Sequence, residues 1–194
     1  MEAKILTYAN ACDEQIRSLY ESAFPKEEQI PYDDLLRLMP TMGLDFTAYY
    51  DEGEFVGFTI VYPRDAFNWF WYFAVREELR GKGYGQQILS LLIEKYKGCS
   101  NILDMESPDQ DCDNAEQRRR RSAFYMRNGF RNTGVGKSFD GVDYVILSNG
   151  DKVFTMEDYE EVLAELRSFW SRMPVANDNY NGNDNESEND NVKP

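Results

Sequence analysis

The sequence predicts a single mixed α/β domain, in which helices pack against one sheet. Strand-like and helix-like segments alternate along its 194 residues. Residues 68–75 are apolar at almost every position, which is typical of a central strand buried on both faces. The turns DEGE at 51–54 and DG at 140–141 each separate two strand-like segments, and they predict two hairpins.

The first third of the chain is predicted to form one strand and two helices. Residues 4–8 are strand-like, and Asn10 or Asp13 can cap the helix that follows, whose apolar residues recur at the helical period. A second short helix is predicted over 33–39, and it is expected to end before Pro40 because proline removes a backbone donor.

The remaining elements follow from the same patterns. Strands are predicted over 45–50, 55–62, 68–75, 101–106, 130–139 and 142–147. Helices are predicted over 84–96 and 115–127. Thr155 and Asp158 resemble a capping box, which predicts one more helix at that point.

Composition divides the chain and limits its partners. We predict a domain over 1–150, an appended helix over 151–175 and a disordered Asn/Asp-rich tail over 176–194, because the tail lacks apolar residues to offset ordering entropy. The net charge is −14 at pH 7, which argues against nucleic acid and favours cationic partners. The tail holds only a minority of this charge, so the folded part is acidic too.

Several site classes are disfavoured by what the sequence lacks. The three cysteines form no CxxC pair, so neither a disulfide framework nor a zinc site is expected. The absence of histidine removes Ser-His-Asp and Cys-His mechanisms, and we expect no metal. No apolar run reaches the roughly 20 residues of a membrane span, and the N-terminus is not a signal peptide, so the protein is expected to be soluble and cytoplasmic, with no membrane partner.

The segment RGKGYG at 80–85 joins a predicted strand to a predicted helix. It fits neither the dinucleotide pattern GxGxxG nor the Walker pattern GxxxxGK with Ser or Thr. Backbone N–H groups at a helix start, glycine flexibility and the Arg80 charge together suit a pyrophosphate. The alternative is a glycine-rich turn that only connects two elements.

Three segments resemble motifs of the GNAT superfamily of N-acetyltransferases, in the family's order. AVREELRGKGYGQQIL closely resembles its acetyl-CoA motif, FPKEEQIPYDDL resembles a helix-loop of many bacterial members, and RRSAFYMRNGF resembles a later motif with a tyrosine before Gly-Phe. The resemblance covers about residues 5–147. It implies a GNAT-like fold, whose central, mostly antiparallel sheet is flanked by helices and splays at the acyl-CoA cleft.

The resemblance also implies how acetyl-CoA, the acyl donor, would bind. The backbone of Phe73, Ala74 and Val75 would pair with the pantetheine arm, and the Val75 N–H would face the thioester oxygen. The pyrophosphate would be held by the N–H groups of Arg80, Gly81, Lys82, Gly83, Tyr84 and Gly85.

Two residues are predicted to be catalytic. By the resemblance, Tyr125 is the general acid that protonates the departing thiolate; the alternative is a core aromatic beside Phe124. Glu106, or Asp104 on the same strand face, could accept the proton of the amine, although both could be solvated and the base could be a water chain.

One position departs from the family pattern. Many members carry Asn seven residues before the tyrosine, touching the CoA arm, where this chain has Arg118, so the resemblance does not extend to that contact. Arg118 to Arg121 are expected to form a solvated helix face. The last helix is expected to be a packing element or a dimer contact, not part of the site.

The leading functional prediction is direct acetyl transfer from acetyl-CoA to a primary amine of a small molecule or a peptide, and the acidic folded part favours a cationic acceptor. No cysteine has a histidine to activate it, so no covalent enzyme intermediate is expected. The alternatives are a catalytically silent acyl-CoA-binding module and an interaction protein that acts through the acidic tail. A homodimer is left open.

Overall fold

The computed structural model describes residues 1–172, so the tail predicted over 176–194 lies outside the described residues. The sheet has seven strands in the order β1-β2-β3-β4-β5-β7-β6. They are β1 Glu2–Ile5, β2 Asp45–Asp51, β3 Glu54–Tyr62, β4 Asn68–Val75, β5 Asn101–Glu106, β6 Arg131–Phe139 and β7 Val142–Asn149. Among the seven strands of the described chain only β4 and β5 pair in parallel, and the predicted mixed, mostly antiparallel sheet is confirmed.

Six α-helices flank the sheet within the described part of the chain. They are α1 Tyr8–Ala11, α2 Glu14–Ala23, α3 Tyr32–Met42, α4 Tyr84–Lys95, α5 Ala115–Arg127 and α6 Met156–Arg172. Asp13 caps α2, with its carboxylate accepting the Gln15 N–H at 2.8 Å. The predicted capping box opens α6, since Thr155 N–H donates to Asp158 at 2.8 Å and Asp158 N–H donates back to the Thr155 hydroxyl at 3.3 Å.

The structure corrects two predicted boundaries near the N-terminus. The first strand covers Glu2–Ile5 instead of 4–8, because Thr7 already caps α1. Pro40 lies inside α3, which runs on to Met42 and ends at Gly43 with a φ of 64°. A proline in the last turn removes one backbone hydrogen bond, and the buried face of α3 offsets that loss through its packing.

The two faces of the sheet are covered by different helices. Tyr20 of α2 and Phe58 of β3 belong to a large core that also includes buried residues of α3 and α6. On the opposite face, Leu89 and Leu92 of α4 pack against Leu147 and against partly buried residues of α5. No helix within residues 1–172 combines the length and the apolar character that a membrane crossing requires.

The parallel pair of β4 and β5 holds only at one end. Its register consists of Asn68 opposite Asn101 and Trp69 opposite Ile102. Buried side-chain amides fasten this end: Asn68 donates to Asn101 at 2.9 Å, and Asn101 donates to Asn149 of β7 at 2.8 Å. Beyond this point the strands diverge and leave a cleft, as the family resemblance implies.

Candidate active site

A cleft of about 570 Å³ opens where β4 and β5 diverge, which is a volume typical of small-molecule sites. Its lining comes from both strands, from α5 and α6, and from the segment between α2 and α3. Of the predicted site residues, Phe73, Ala74, Val75, Arg80, Glu106 and Tyr125 line it. The remainder of the glycine turn, Gly81 to Gly85, follows Arg80 outside that lining.

The free edge of β4 presents backbone groups to the cleft. Arg76 N–H donates to the Val56 carbonyl of β3 at 3.0 Å, and Val75 lies opposite Gly57 in the same ladder. By antiparallel alternation, the N–H and C=O of Val75 and of Phe73 point away from β3, where β5 no longer pairs. Arg80 Nε donates to the Val75 carbonyl at 3.2 Å, which leaves the Val75 N–H to an extended amide chain.

The glycine turn is shaped by backbone conformation. Gly81 and Gly83 have φ values of 76° and 87°, and α4 begins at the next residue, Tyr84. Within the described chain the N–H groups of Gly81 to Gly85 donate to no backbone acceptor, and they lie at the positive end of the helix dipole. The Tyr84 hydroxyl donates to Asp51 at 2.9 Å and anchors the turn. The residues therefore fit a pyrophosphate group.

Replacing Gly83 with alanine is expected to weaken acetyl-CoA binding about tenfold. A Cβ at Gly83 meets no atom within 4 Å. The substitution therefore acts through the left-handed backbone conformation, which alanine disfavours by about 1–2 kcal/mol. Isothermal titration calorimetry measures the effect. Gly98→Ala is the matched control, since Gly98 has a φ of 84°, is equally unobstructed and lies in the turn after α4. Equal losses of affinity in both variants would contradict a role for the Gly83 turn in binding.

Tyr125 lies on the face of α5 that borders the cleft. Gln117, Arg121 and Tyr125 follow at intervals of four residues, and all three line the cleft. The Tyr125 ring also packs against Phe124 and Phe130, with centroids 5.2 Å and 5.7 Å away. Burial raises the pKa of Tyr125 to about 12, against the opposing charge of Arg121. The phenol therefore stays protonated at neutral pH and has a proton to give.

Glu106 lies at the end of β5 and is only 7% exposed. Arg118 binds one carboxylate oxygen at 2.7 Å, and Arg121 reaches the other at 3.5 Å. Arg118 is itself buried and donates to Gln110 at 2.9 Å. Both oxygens of Glu106 are thus engaged by cationic side chains.

The expectation of a solvated arginine face is wrong for two of its four members. Arg118 is buried and Arg121 is bound to Glu106, because α5 turns its first half toward the end of β5. Only Arg119 and Arg120 stay exposed, and they pair with Glu116 on the same helix. The sequence carries no helical periodicity in a run of identical residues, so it could not separate the inward pair from the outward pair.

Asp104 also lines the cleft and has two polar neighbours. Trp69 Nε1 donates to it at 3.0 Å, and Lys137 Nζ of β6 lies 3.9 Å away. The Asp104 carboxylate therefore has a hydrogen-bond donor and a cation beside it, and its contacts hold the Trp69 ring in place.

Glu28 is a cleft residue that our sequence reasoning missed. It is the last residue of a short 3-10 turn, Lys26–Glu28. Its carboxylate accepts a hydrogen bond from the Tyr144 hydroxyl at 2.7 Å. Burial raises the pKa of Glu28 above its usual 4.5, and the charges of Glu106 and Asp104 add to this, while the Tyr144 bond opposes it. No ion pair to Glu28 is found among residues 1–172. The sequence signal that could have pointed to Glu28 is its place as an acidic residue in the FPKEE segment.

The last helix also reaches the site, contrary to expectation. Leu163, Leu166 and Trp170 of α6 line the cleft, at the helical spacing of one face. The sequence shows the apolar residues of α6 at helical spacing, but it does not show which part of the protein they contact. Within the described residues the cysteines are free, and no cluster of three or more His, Cys, Asp or Glu side chains that could hold a metal ion occurs.

Comparisons with known proteins agree with this geometry. Residues 43–132 match the family model described as an acetyltransferase (GNAT) domain. A GNAT-family structure from Bacteroides thetaiotaomicron has a TM-score of 0.70 at 23% identity, covering 90% of this chain and 100% of that one. No curated protein matched.

Two further solved structures share the fold. The aminoglycoside 6'-N-acetyltransferase from Enterococcus faecium gives a TM-score of 0.59 at 16% identity, covering 77% of this chain and 96% of that one. The PaiA N-acetyltransferase from Thermoplasma acidophilum, in complex with coenzyme A, gives 0.54 at 18% identity, covering 77% and 98%. These identities establish the fold alone. The matched segment contains the RGKGYG turn and the diverging strands β4 and β5, so this part of the chain is similar to GNAT acetyltransferase domains.

Proposed function

We propose that the protein transfers an acetyl group from acetyl-CoA directly to a primary amine, with both substrates bound in the cleft. The observation that carries the proposal is the divergence of β4 and β5, which gathers a free backbone edge, Tyr125 and several carboxylates around one space. The proposal assumes a cytoplasmic protein with access to acetyl-CoA. It is supported by the solved relatives, one of which has coenzyme A bound.

The donor would be held by residues of β4 and of the turn that follows. The N–H of Val75 would bond the arm and the thioester oxygen, where negative charge develops during attack. The amides of Gly81 to Gly85 would bind the pyrophosphate, with Arg80 beside them. Acetyl-CoA supplies an activated acyl group, so this chain has only to position it and to move protons.

Two protons must move during the transfer. A C–N bond forms as the thioester C–S bond breaks, and the leaving thiolate takes a proton from the Tyr125 hydroxyl. The attacking amine must first lose its own proton. Glu106 is the acceptor predicted from the sequence, and Glu28 is a second candidate.

The contacts favour Glu28 as the base. Glu106 is engaged by two arginines, whereas within residues 1–172 the Glu28 side chain is bonded by the Tyr144 hydroxyl alone, and burial raises its pKa. We therefore propose that Glu28 takes the amine proton, directly or through one water, and that Glu106 orders the end of β5.

Replacing Glu28 with glutamine is expected to lower kcat/KM about 100-fold at neutral pH. The pKa of Glu28 is raised, so the wild-type rate should fall as the pH drops through a value above 4.5, where the carboxyl becomes protonated. The variant should lose this acidic limb, and a pH profile of kcat/KM measures it. Glu106→Gln is the comparison variant. If Glu106→Gln lost the acidic limb of the kcat/KM profile and Glu28→Gln kept it, Glu106 would be the general base instead.

A panel of primary amines tests the proposed function itself. Release of free CoA is followed with acetyl-CoA as donor, and acetylated products are identified by mass. Turnover of at least one amine is expected. Binding of acetyl-CoA without turnover of any amine would instead favour the catalytically silent acyl-CoA-binding module. Whether the protein forms a homodimer remains a prediction that sedimentation can test.

A further inference from the structure

Three aromatic residues of β4 that line the cleft, Trp69, Trp71 and Tyr72, begin a surface that we call the wall and assign to the amine acceptor. The ladder with β3 passes from Ile60 opposite Tyr72 to Val61 opposite Phe70, so Trp71 forms a bulge. As a result, Trp71 and Tyr72 face the same side of the sheet as Trp69. The three rings stack: the centroids of Trp69 and Trp71 lie 5.1 Å apart at 18°, and those of Trp71 and Tyr72 lie 5.4 Å apart at 21°.

Helix α6 extends this wall and is held firmly. Leu163, Leu166 and Trp170 line the cleft. On the same helix, Glu165 accepts two hydrogen bonds from Arg64, at 2.8 Å and 2.6 Å, and one from the Tyr62 hydroxyl at 2.8 Å. Since this cluster ties α6 to the end of β3, the apolar side chains of the wall are held at fixed positions.

Part of the wall is left open. Trp170 is 37% exposed and Phe139 is 57% exposed, and both line the cleft. Large apolar side chains exposed together in a concave site favour an apolar ligand, because covering them removes apolar surface from water. Trp71, which is partly exposed, adds its ring to the same side.

The charges of the acceptor side suit a single ammonium group. Asp104 lies beside Lys137, and Glu106 is paired with Arg118 and Arg121. Among residues 1–172, this leaves Glu28 as the cleft carboxylate without an ion pair. The strongly negative charge of the whole chain is therefore not concentrated in the cleft, and a polycation would meet the arginines and the lysine there.

We infer that the acceptor is a small monoamine with an aromatic body, such as an arylalkylamine. Its amino group lies near Glu28, and its ring lies against Trp71, Phe139, Leu166 and Trp170. This inference rests on the proposed function, since it names the amine that the same cleft takes.

The test compares amines that differ in body and charge, using the full chain and acetyl-CoA. The aromatic monoamines are phenethylamine and tyramine; ethanolamine lacks the ring, spermidine is a polycation, and kanamycin is a polar aminoglycoside. We expect kcat/KM for phenethylamine to exceed that for each of the last three at least tenfold, which corresponds to about 1.4 kcal/mol.

Variants of the wall give a second readout. Trp170→Ala is expected to raise the KM for phenethylamine about fivefold and to lower its kcat/KM relative to ethanolamine, with the KM for acetyl-CoA unchanged. Leu166→Ala is the second wall variant should Trp170→Ala fold poorly, as judged by circular dichroism. Arg167→Ala, at an exposed position of the same helix, is the control and should leave all ratios unchanged.

Three results would overturn the inference. Preference for spermidine or kanamycin would refute the aromatic monoamine while leaving acetyl transfer in place. An effect of Trp170→Ala on the KM for octanoyl-CoA, and not on that for the amine, would assign the wall to the acyl chain. Calorimetric binding of acetyl-CoA with no amine acetylated would remove the proposed function and the inference together.

Discussion

Phenylalanine in place of Tyr125 is expected to lower kcat about 100-fold, because the departing thiolate loses its proton donor. The Kd of acetyl-CoA should change less than about twofold, since the ring and its packing against Phe124 and Phe130 are kept. Single-turnover kinetics measure the chemical step, and calorimetry measures donor affinity. A pKa of about 12 keeps the wild-type phenol protonated, so its loss should lower the rate across the neutral range.

A surface tyrosine provides the matched control for this variant. Tyr8 is 52% exposed and does not line the cleft, so Tyr8→Phe removes the same hydroxyl elsewhere and should leave kcat unchanged. Equal single-turnover rates for wild type and Tyr125→Phe would show that the thiolate is protonated by another group, and Tyr125 would then be a packing residue.

Loss of Arg118 is expected to have the largest effect on stability. Arg118→Met removes the 2.7 Å ion pair and leaves the buried Glu106 carboxylate with only the longer contact to Arg121. We expect the free energy of unfolding to fall by about 3 kcal/mol. For a chain of this size that corresponds to a Tm about 8 °C lower, measured by calorimetry or thermal circular dichroism.

Removing both charges should recover much of this loss. In the double variant Glu106→Gln with Arg118→Met no uncompensated carboxylate remains, so its stability should exceed that of Arg118→Met alone. Arg120→Met is the control, since Arg120 is exposed and, within residues 1–172, pairs only with Glu116 on the helix surface. Equal unfolding free energies for Arg118→Met and Arg120→Met would show that the buried pair contributes little.

Much of the fold could be predicted from local patterns. β4 and β5 have the predicted bounds, because their apolar and alternating stretches end at polar residues, and α5 also has its predicted bounds. The error at Pro40 has a different origin. Burial of α3 against the core overrides the local rule for proline, and burial is not visible in a short window of sequence.

The site could be predicted only where a continuous segment forms it. The roles of the glycine turn at 80–85 and of Tyr125 were predicted from sequence motifs, and they stay predictions. Glu28 acquires its environment from β7, more than 100 residues further along the chain, through the Tyr144 hydroxyl. Arg118 is buried by a carboxylate on another element, and the wall of α6 depends on how that helix docks. These are long-range contacts, and no local spacing encodes them.

The side-chain amides of Asn68, Asn101 and Asn149 join β4, β5 and β7 at one end of the cleft. Beyond the paired residues, β4 and β5 are linked by side chains, among them the Trp69 Nε1 hydrogen bond to Asp104 at 3.0 Å. A donor bound along β4 and in contact with α5 would link the two sides of the cleft. The Tm of the donor-bound protein should therefore exceed that of the free protein, and the added stability should rise with the logarithm of the donor concentration.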